Sequence, residues 1–122
     1  MQNSKKTVNA TITHQIEEMF FQVMVDSTSN SDVKTILADL LTEAELQALV
    51  KRLAVAVFLD KGRSYENIKH YLKVSSATIA TVAEHMGNPG IQMALNKIKA
   101  EKWADDWTAR LSAMVRRIMP KS

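Results

Sequence analysis

From Thr13 to Ile118 the apolar residues recur at spacings of three and four, and only three glycines and two prolines interrupt a chain of 122 residues. That combination restricts the fold more than any other feature. A spacing of 3.6 puts apolar side chains on one face of a helix, whereas a strand needs strict alternation. An all-β chain would also need frequent turn residues, and these are missing. The expected fold class is therefore all-α. At 46% hydrophobic and 24% charged, the composition is that of a folded globular chain rather than a disordered one.

The periodic segments can be placed in order. Residues 1–11 are polar and read as frayed. A first amphipathic helix starts at Thr13 and carries Ile16, Met19, Phe20, Val23 and Met24. Asp26 to Ser31 is a polar loop, and Asp32 caps a short helix with Val33, Ile36, Leu37 and Leu40. Thr42 and Glu45 have capping-box spacing before a long helix. Its apolar stripe runs through Leu46, Leu49, Val50, Leu53, Val57 and Phe58, with Ala48, Ala54 and Ala56 beside it. Gly62 stands where a glycine in the left-handed region ends a helix.

Two short helices follow. One runs from about Ser64 to Leu72 with Ile68 and Leu72 inward, and the other from Ser75 as N-cap to about Met86 with Ile79 and Val82 inward. Gly87 can end the second. Asn88 and Pro89 start another helix, with Ile91, Leu95 and Ile98. A last helix covers about Trp103 to Ile118, with Trp103 and Trp107 on one face.

Several function classes are excluded or disfavoured. There is no cysteine, so disulfides, thiolate metal sites and a cysteine nucleophile are impossible. His14, His70 and His85 form no metal motif, and His85 reads as a favourable partner for a helix C-terminus. No Gly-rich phosphate loop, nucleophile elbow or paired-acid constellation is present, so no enzyme activity and no cofactor are expected. The short N-terminal basic pair has no apolar segment after it, and no apolar run approaches the roughly 20 residues of a membrane helix. A cytoplasmic protein without membrane contact is the expectation.

Charge is distributed unevenly. Residues 1–50 contain three Lys/Arg against seven Asp/Glu, and residues 51–122 contain thirteen against six. An acidic first part and a basic remainder suit one part for assembly and one for an anionic partner. The basic residues Lys51, Arg52, Lys61, Arg63, Lys69 and Lys73 surround the helix that starts at Ser75. That helix opens with the small residues Ser75, Ser76, Ala77 and Thr78. Free N–H groups at a helix start favour phosphate, hydroxyls can bond base edges, and methyls can touch thymine. Lys73 and Val74 form the turn between the two short helices. Such a pair is the skeleton of a helix-turn-helix. Two uses remain open on this pattern: a duplex-DNA reader, or two further helices of a bundle that binds protein.

Leu41-Thr42, Glu45, Ala48-Leu49, Arg52, Val55, Leu59, Gly62-Arg63-Ser64-Tyr65, Ile68, Leu72 and Val74-Ser75-Ser76-Ala77-Thr78-Ile79 together resemble the Trp repressor family. The likeness is nearest to its shorter relatives and covers residues 36–86. It implies an all-helical, intertwined homodimer that regulates transcription by binding duplex DNA. On that reading residues 1–122 are a single helical domain, with dimerisation helices in 1–41, a long core helix in 42–62, the helix-turn-helix in 63–87 and C-terminal helices in 88–122. Arg63, Lys69, Lys73, Ser75, Ser76, Ala77, Thr78 and Thr81 are the expected DNA contacts. Arg52 matches one of two arginines that sandwich the corepressor in tryptophan-binding members, and the second position holds Thr81. A threonine neither stacks on a ring nor pairs with a carboxylate, so an effector at Arg52 is expected to be something other than tryptophan. Ala80, Thr81, Ala83 and Glu84 stand where relatives often carry an arginine. They keep alive the alternative of a dimerisation or protein-interaction module that does not read DNA.

Overall fold

The computed structural model describes residues 9–100 together with Ala109, Arg110 and Ala113. All regular structure among the described residues is helical. The chain divides into two compact units, Met1–Glu43 and Ala44–Ser122.

The first unit holds α1 (Ala10–Asp26) and α2 (Asn30–Leu40). Helix α1 starts three residues before the expected Thr13. The Asn9 side chain accepts the Thr11 N–H at 2.8 Å, and this cap draws the polar residues before Thr13 into the first turn. At the other end Ser27 donates its hydroxyl to the Val23 carbonyl at 2.8 Å. The N-cap of α2 is Ser29, which accepts from the Asp32 N–H at 3.1 Å, so the expected cap at Asp32 is corrected. Asp32 sits inside the first turn, where its carboxylate faces the positive end of the helix dipole. None of the described residues of this unit is buried. Ile16, Met19, Phe20 and Val23 lie exposed along one side of α1, and Phe21 and Val25 are exposed as well.

The second unit contains α3 (Glu43–Asp60, which starts one residue before the boundary), α4 (Tyr65–Leu72), α5 (Ser76–Glu84) and α6 (Pro89–Ala100). Gly62 ends α3 at φ 76°. The Gly62 N–H donates to the Leu59 carbonyl at 2.9 Å and the Arg63 N–H to the Phe58 carbonyl at 3.0 Å, the paired bonds of a Schellman ending. Pro89 opens α6, as expected from its fixed φ and missing donor.

The core is one cluster of Val55, Ala56 and Phe58 from α3, Ile68 from α4, Ile79 and Val82 from α5, and Leu95 from α6. Val57, Leu72, Val74 and Ile91 pack around it half-buried. At the edge, Lys99 of α6 pairs with Asp60 of α3 at 3.1 Å, an exposed bridge that adds less than about 1 kcal/mol.

The stripe expected on α3 is buried only in part. The core engages the C-terminal half of the helix, whereas Leu49, Val50 and Leu53 remain 53%, 53% and 40% exposed. Val55 and Ala56, not the leucines, are fully buried. Close helix packing favours the small alanine, and none of Leu49, Val50 and Leu53 belongs to the core cluster of α3 to α6. The expected helix over Trp103–Ile118 lies outside the described residues, except that Ala109, Arg110 and Ala113 are helical.

Candidate nucleic-acid interface

Helices α4 and α5 and the turn between them are built by local hydrogen bonds. The Ser64 hydroxyl caps α4 by accepting the Asn67 N–H at 3.2 Å. Lys73 ends α4 in the left-handed region, at φ 55° and ψ 49°, with its N–H on the Lys69 carbonyl at 3.1 Å. A lysine there costs about 1 kcal/mol relative to a residue free of Cβ strain. The residue stays left-handed because Ile68 and Ile79, both fully buried, fix the two helices on either side of it. Val74 is half-buried against the core in the middle of the turn. The Ser75 hydroxyl then caps α5 by accepting the Thr78 N–H at 3.1 Å. The result is a helix-turn-helix with the boundaries that the capping residues predicted, apart from the last turn. Helix α5 ends at Glu84 rather than Met86, and His85 closes it with Nδ1 donating to the Thr81 carbonyl at 2.7 Å. This is a favourable place for an imidazole. Gly87 is not needed as a left-handed stop, because Gly62 is the only described glycine with positive φ.

The inner side of α5 carries Ile79 and Val82, buried in the core. The outer side carries Ala77, Ala80, Thr81 and Glu84, all exposed, with Ser76 exposed at the helix start. Two hydroxyls are already engaged. Thr78 Oγ1 lies 3.0 Å from Ser75 Oγ, and Thr81 Oγ1 donates to the Ala77 carbonyl at 2.9 Å.

The expected site residues fall into two groups. Arg52, Lys73, Ser75 and Thr78 line one cleft of about 310 Å³, together with Ala44, Gln47, Ala48, Lys51 and Val74. Three cations therefore border the N-terminal end of α5, where uncompensated N–H groups and the helix dipole also favour anions. Arg63, just after the end of α3, and Lys69, exposed on α4, do not line this cleft. Ser76, Ala77 and Thr81 lie outside it on α5. Two residues of this surface were not among the expected DNA contacts. Lys51 lines the cleft beside Arg52. Ala80 shares the exposed side of α5 with Ala77, and its spacing of three from Ala77 was the available signal.

Among the described residues no group of three or more His, Asp or Glu could hold a metal ion. No helix of the described residues is long and apolar enough to cross a membrane.

Comparison with known proteins agrees with this architecture. The chain is 40% identical over 63 residues to the uncharacterized protein YerC of Bacillus subtilis (strain 168). That match takes in 50% of this chain and 61% of the relative's length. No solved structure matches the chain. The family model described as Trp repressor protein matches residues 15–99, which includes α2 to α5 entire, most of α1 and all but the last residue of α6. With its two capped helices, the left-handed turn at Lys73 and a family match over most of its length, this chain belongs to the Trp repressor family.

Proposed function

We propose that this protein is a transcriptional regulator, a repressor by its family, that binds duplex DNA as a homodimer and is not an enzyme. The observation that carries the reading is the helix-turn-helix itself, with an exposed, small-residue α5 and cations around its start. In this arrangement α5 enters the major groove. Ser75, Ser76, Ala77, Thr78 and Thr81 approach the bases, and Arg52, Arg63, Lys69 and Lys73 meet phosphates, which set affinity and register. The homodimer is supported by the uncovered apolar sides of α1 and α3. Two copies related by a two-fold axis would read two half-sites about one helical turn apart.

The experiment is selection from a random duplex pool, followed by fluorescence-anisotropy titration over a range of salt. A two-fold symmetric site is expected, with affinity falling steeply as salt rises. Lys73→Ala should weaken binding to all sequences and reduce the salt slope by about 0.9. Thr78→Ala should shift sequence preference instead. Identical behaviour of the two variants would refute this division of roles.

The absence of charge from Ser75 to Ala83, and the acidic Glu84 after it, favour a second reading. In it the module dimerises or binds protein without reading DNA, and the same titration returns weak binding with no enriched site. The cleft at Arg52 also suits a small anionic effector. Thr81 argues against tryptophan, and a thermal-shift screen of anionic metabolites tests this directly.

A further inference from the structure

The hydroxyl of Thr81 has one proton, and it is directed to the Ala77 carbonyl at 2.9 Å. The rest of that oxygen can only accept. Around it, between Ser76 at the helix start and Glu84 at its end, the exposed side of α5 consists of the methyls of Ala77, Ala80 and Thr81. From Ser75 to Ala83 there is no Arg, Lys, Asn or Gln, so the bidentate contacts that read guanine or adenine are unavailable to this stretch. A guanine presents only acceptors, O6 and N7, in the major groove. Set against an acceptor-only threonine and bare methyls, it would lose hydrogen bonds to water without replacing them. Both adenine N6 and cytosine N4 can donate to such an acceptor, so what sets an A·T pair apart for this surface is the methyl on thymine.

We infer that α5 selects A·T base pairs through thymine methyls packed on Ala77 and Ala80, while Thr81 Oγ1 accepts from whichever exocyclic amino group faces it. This rests on the DNA-binding reading and specifies the bases that reading left open. Glu84 follows on the same exposed side of α5. Its carboxylate repels phosphate and confines close groove contact to the residues that precede it. The inference divides the work of the motif: the methyl surface chooses the base pair, and the cations at Lys51, Arg52 and Lys73 hold the backbone.

The test uses the full chain and the duplex enriched from a random pool. That duplex is remade with deoxyuridine in place of thymidine, which removes the methyl and keeps Watson–Crick pairing. The expected result is an A·T-rich half-site whose affinity falls roughly fourfold for each contacted methyl removed. Thr81→Val retains the shape and removes the acceptor. It should weaken binding to A·T and G·C variants of the position facing Thr81 alike, by roughly fivefold, with the A·T preference and the deoxyuridine effect intact. Unchanged folding of this variant is checked by its thermal midpoint. An enriched site with G·C pairs opposite α5, or equal affinity for the thymidine and deoxyuridine duplexes, overturns the inference and leaves DNA binding standing. Salt-labile binding without any preferred site overturns the inference and favours the module that does not read DNA. No binding even at low salt overturns both the inference and the function it rests on.

Discussion

Helices α1 and α2 contain no buried residue, whereas α3 to α6 share a single core in which Val55, Ala56, Ile68 and Ile79 are fully buried. Both regions are rich in apolar residues, so composition does not separate them. What separates them is whether the chain supplies its own covering surface. Isolated helices of 11 and 17 residues are marginal in water even with good caps. The first region must therefore draw its stability from burial outside itself. The second closes its core with residues of its own, and it is the region that holds a strained turn at Lys73. A residue in the left-handed region persists where its surroundings over-determine it.

The largest expected effect lies in the self-sufficient region. Ile68→Ala should lower unfolding free energy by about 2–5 kcal/mol, measured by urea denaturation. A loss below about 1 kcal/mol would mean that the core is less closely packed than described. Phe20→Glu should behave oppositely. It should do little to the fold of a dilute monomer, since its ring is 41% exposed in the single chain, but weaken self-association by about 2 kcal/mol, roughly thirtyfold. Sedimentation equilibrium reads this directly, and an unaltered association constant would remove α1 from the dimer contact.

A paired cap experiment sharpens the contrast. Ser75→Ala should cost about 1 kcal/mol in the main unfolding transition, because α5 is bound to the core through Ile79 and Val82. Ser29→Ala removes an equivalent cap from α2 and should leave that transition in place at concentrations where the protein is monomeric. Equal losses would show that both regions unfold together. The smallest effect is also the one with the opposite sign. Lys73→Gly should raise stability by about 0.5–1 kcal/mol, because glycine adopts the left-handed turn without Cβ strain. The same change should lower DNA affinity through the lost charge. A fall in both quantities would mean that the lysine stem contributes packing that outweighs the strain.

How much could be read in advance follows from the range of each interaction. Helix ends at Ser64, Ser75 and Gly62 were legible because caps and Schellman bonds join residues two to five positions apart. The turn at Lys73 and Val74 was legible for the same reason, and its left-handed backbone came from the structure. The cap of α2 was misplaced from Ser29 to Asp32 because both residues are good caps and only backbone geometry chooses between them. The family and the all-helical class followed from motif spacing and from the 3.6-residue period.

Tertiary packing alone decided the rest. It buried Val55 and Ala56 while leaving Leu49, Val50 and Leu53 on the surface, since a periodic stripe says which residues share a side, not which neighbour arrives to cover it. Of the basic residues expected around the start of α5, it chose Lys51, Arg52 and Lys73 to share one cleft with Ser75 and left Arg63 and Lys69 outside it. It also turned Ala77 and Ala80 outward by sinking Ile79 and Val82 into the core. The chain's own pattern thus determined the helices and their caps, because those bonds are local. The exposed surface for recognition was set by the contacts among α3, α4, α5 and α6, because burial is a property of the assembled core.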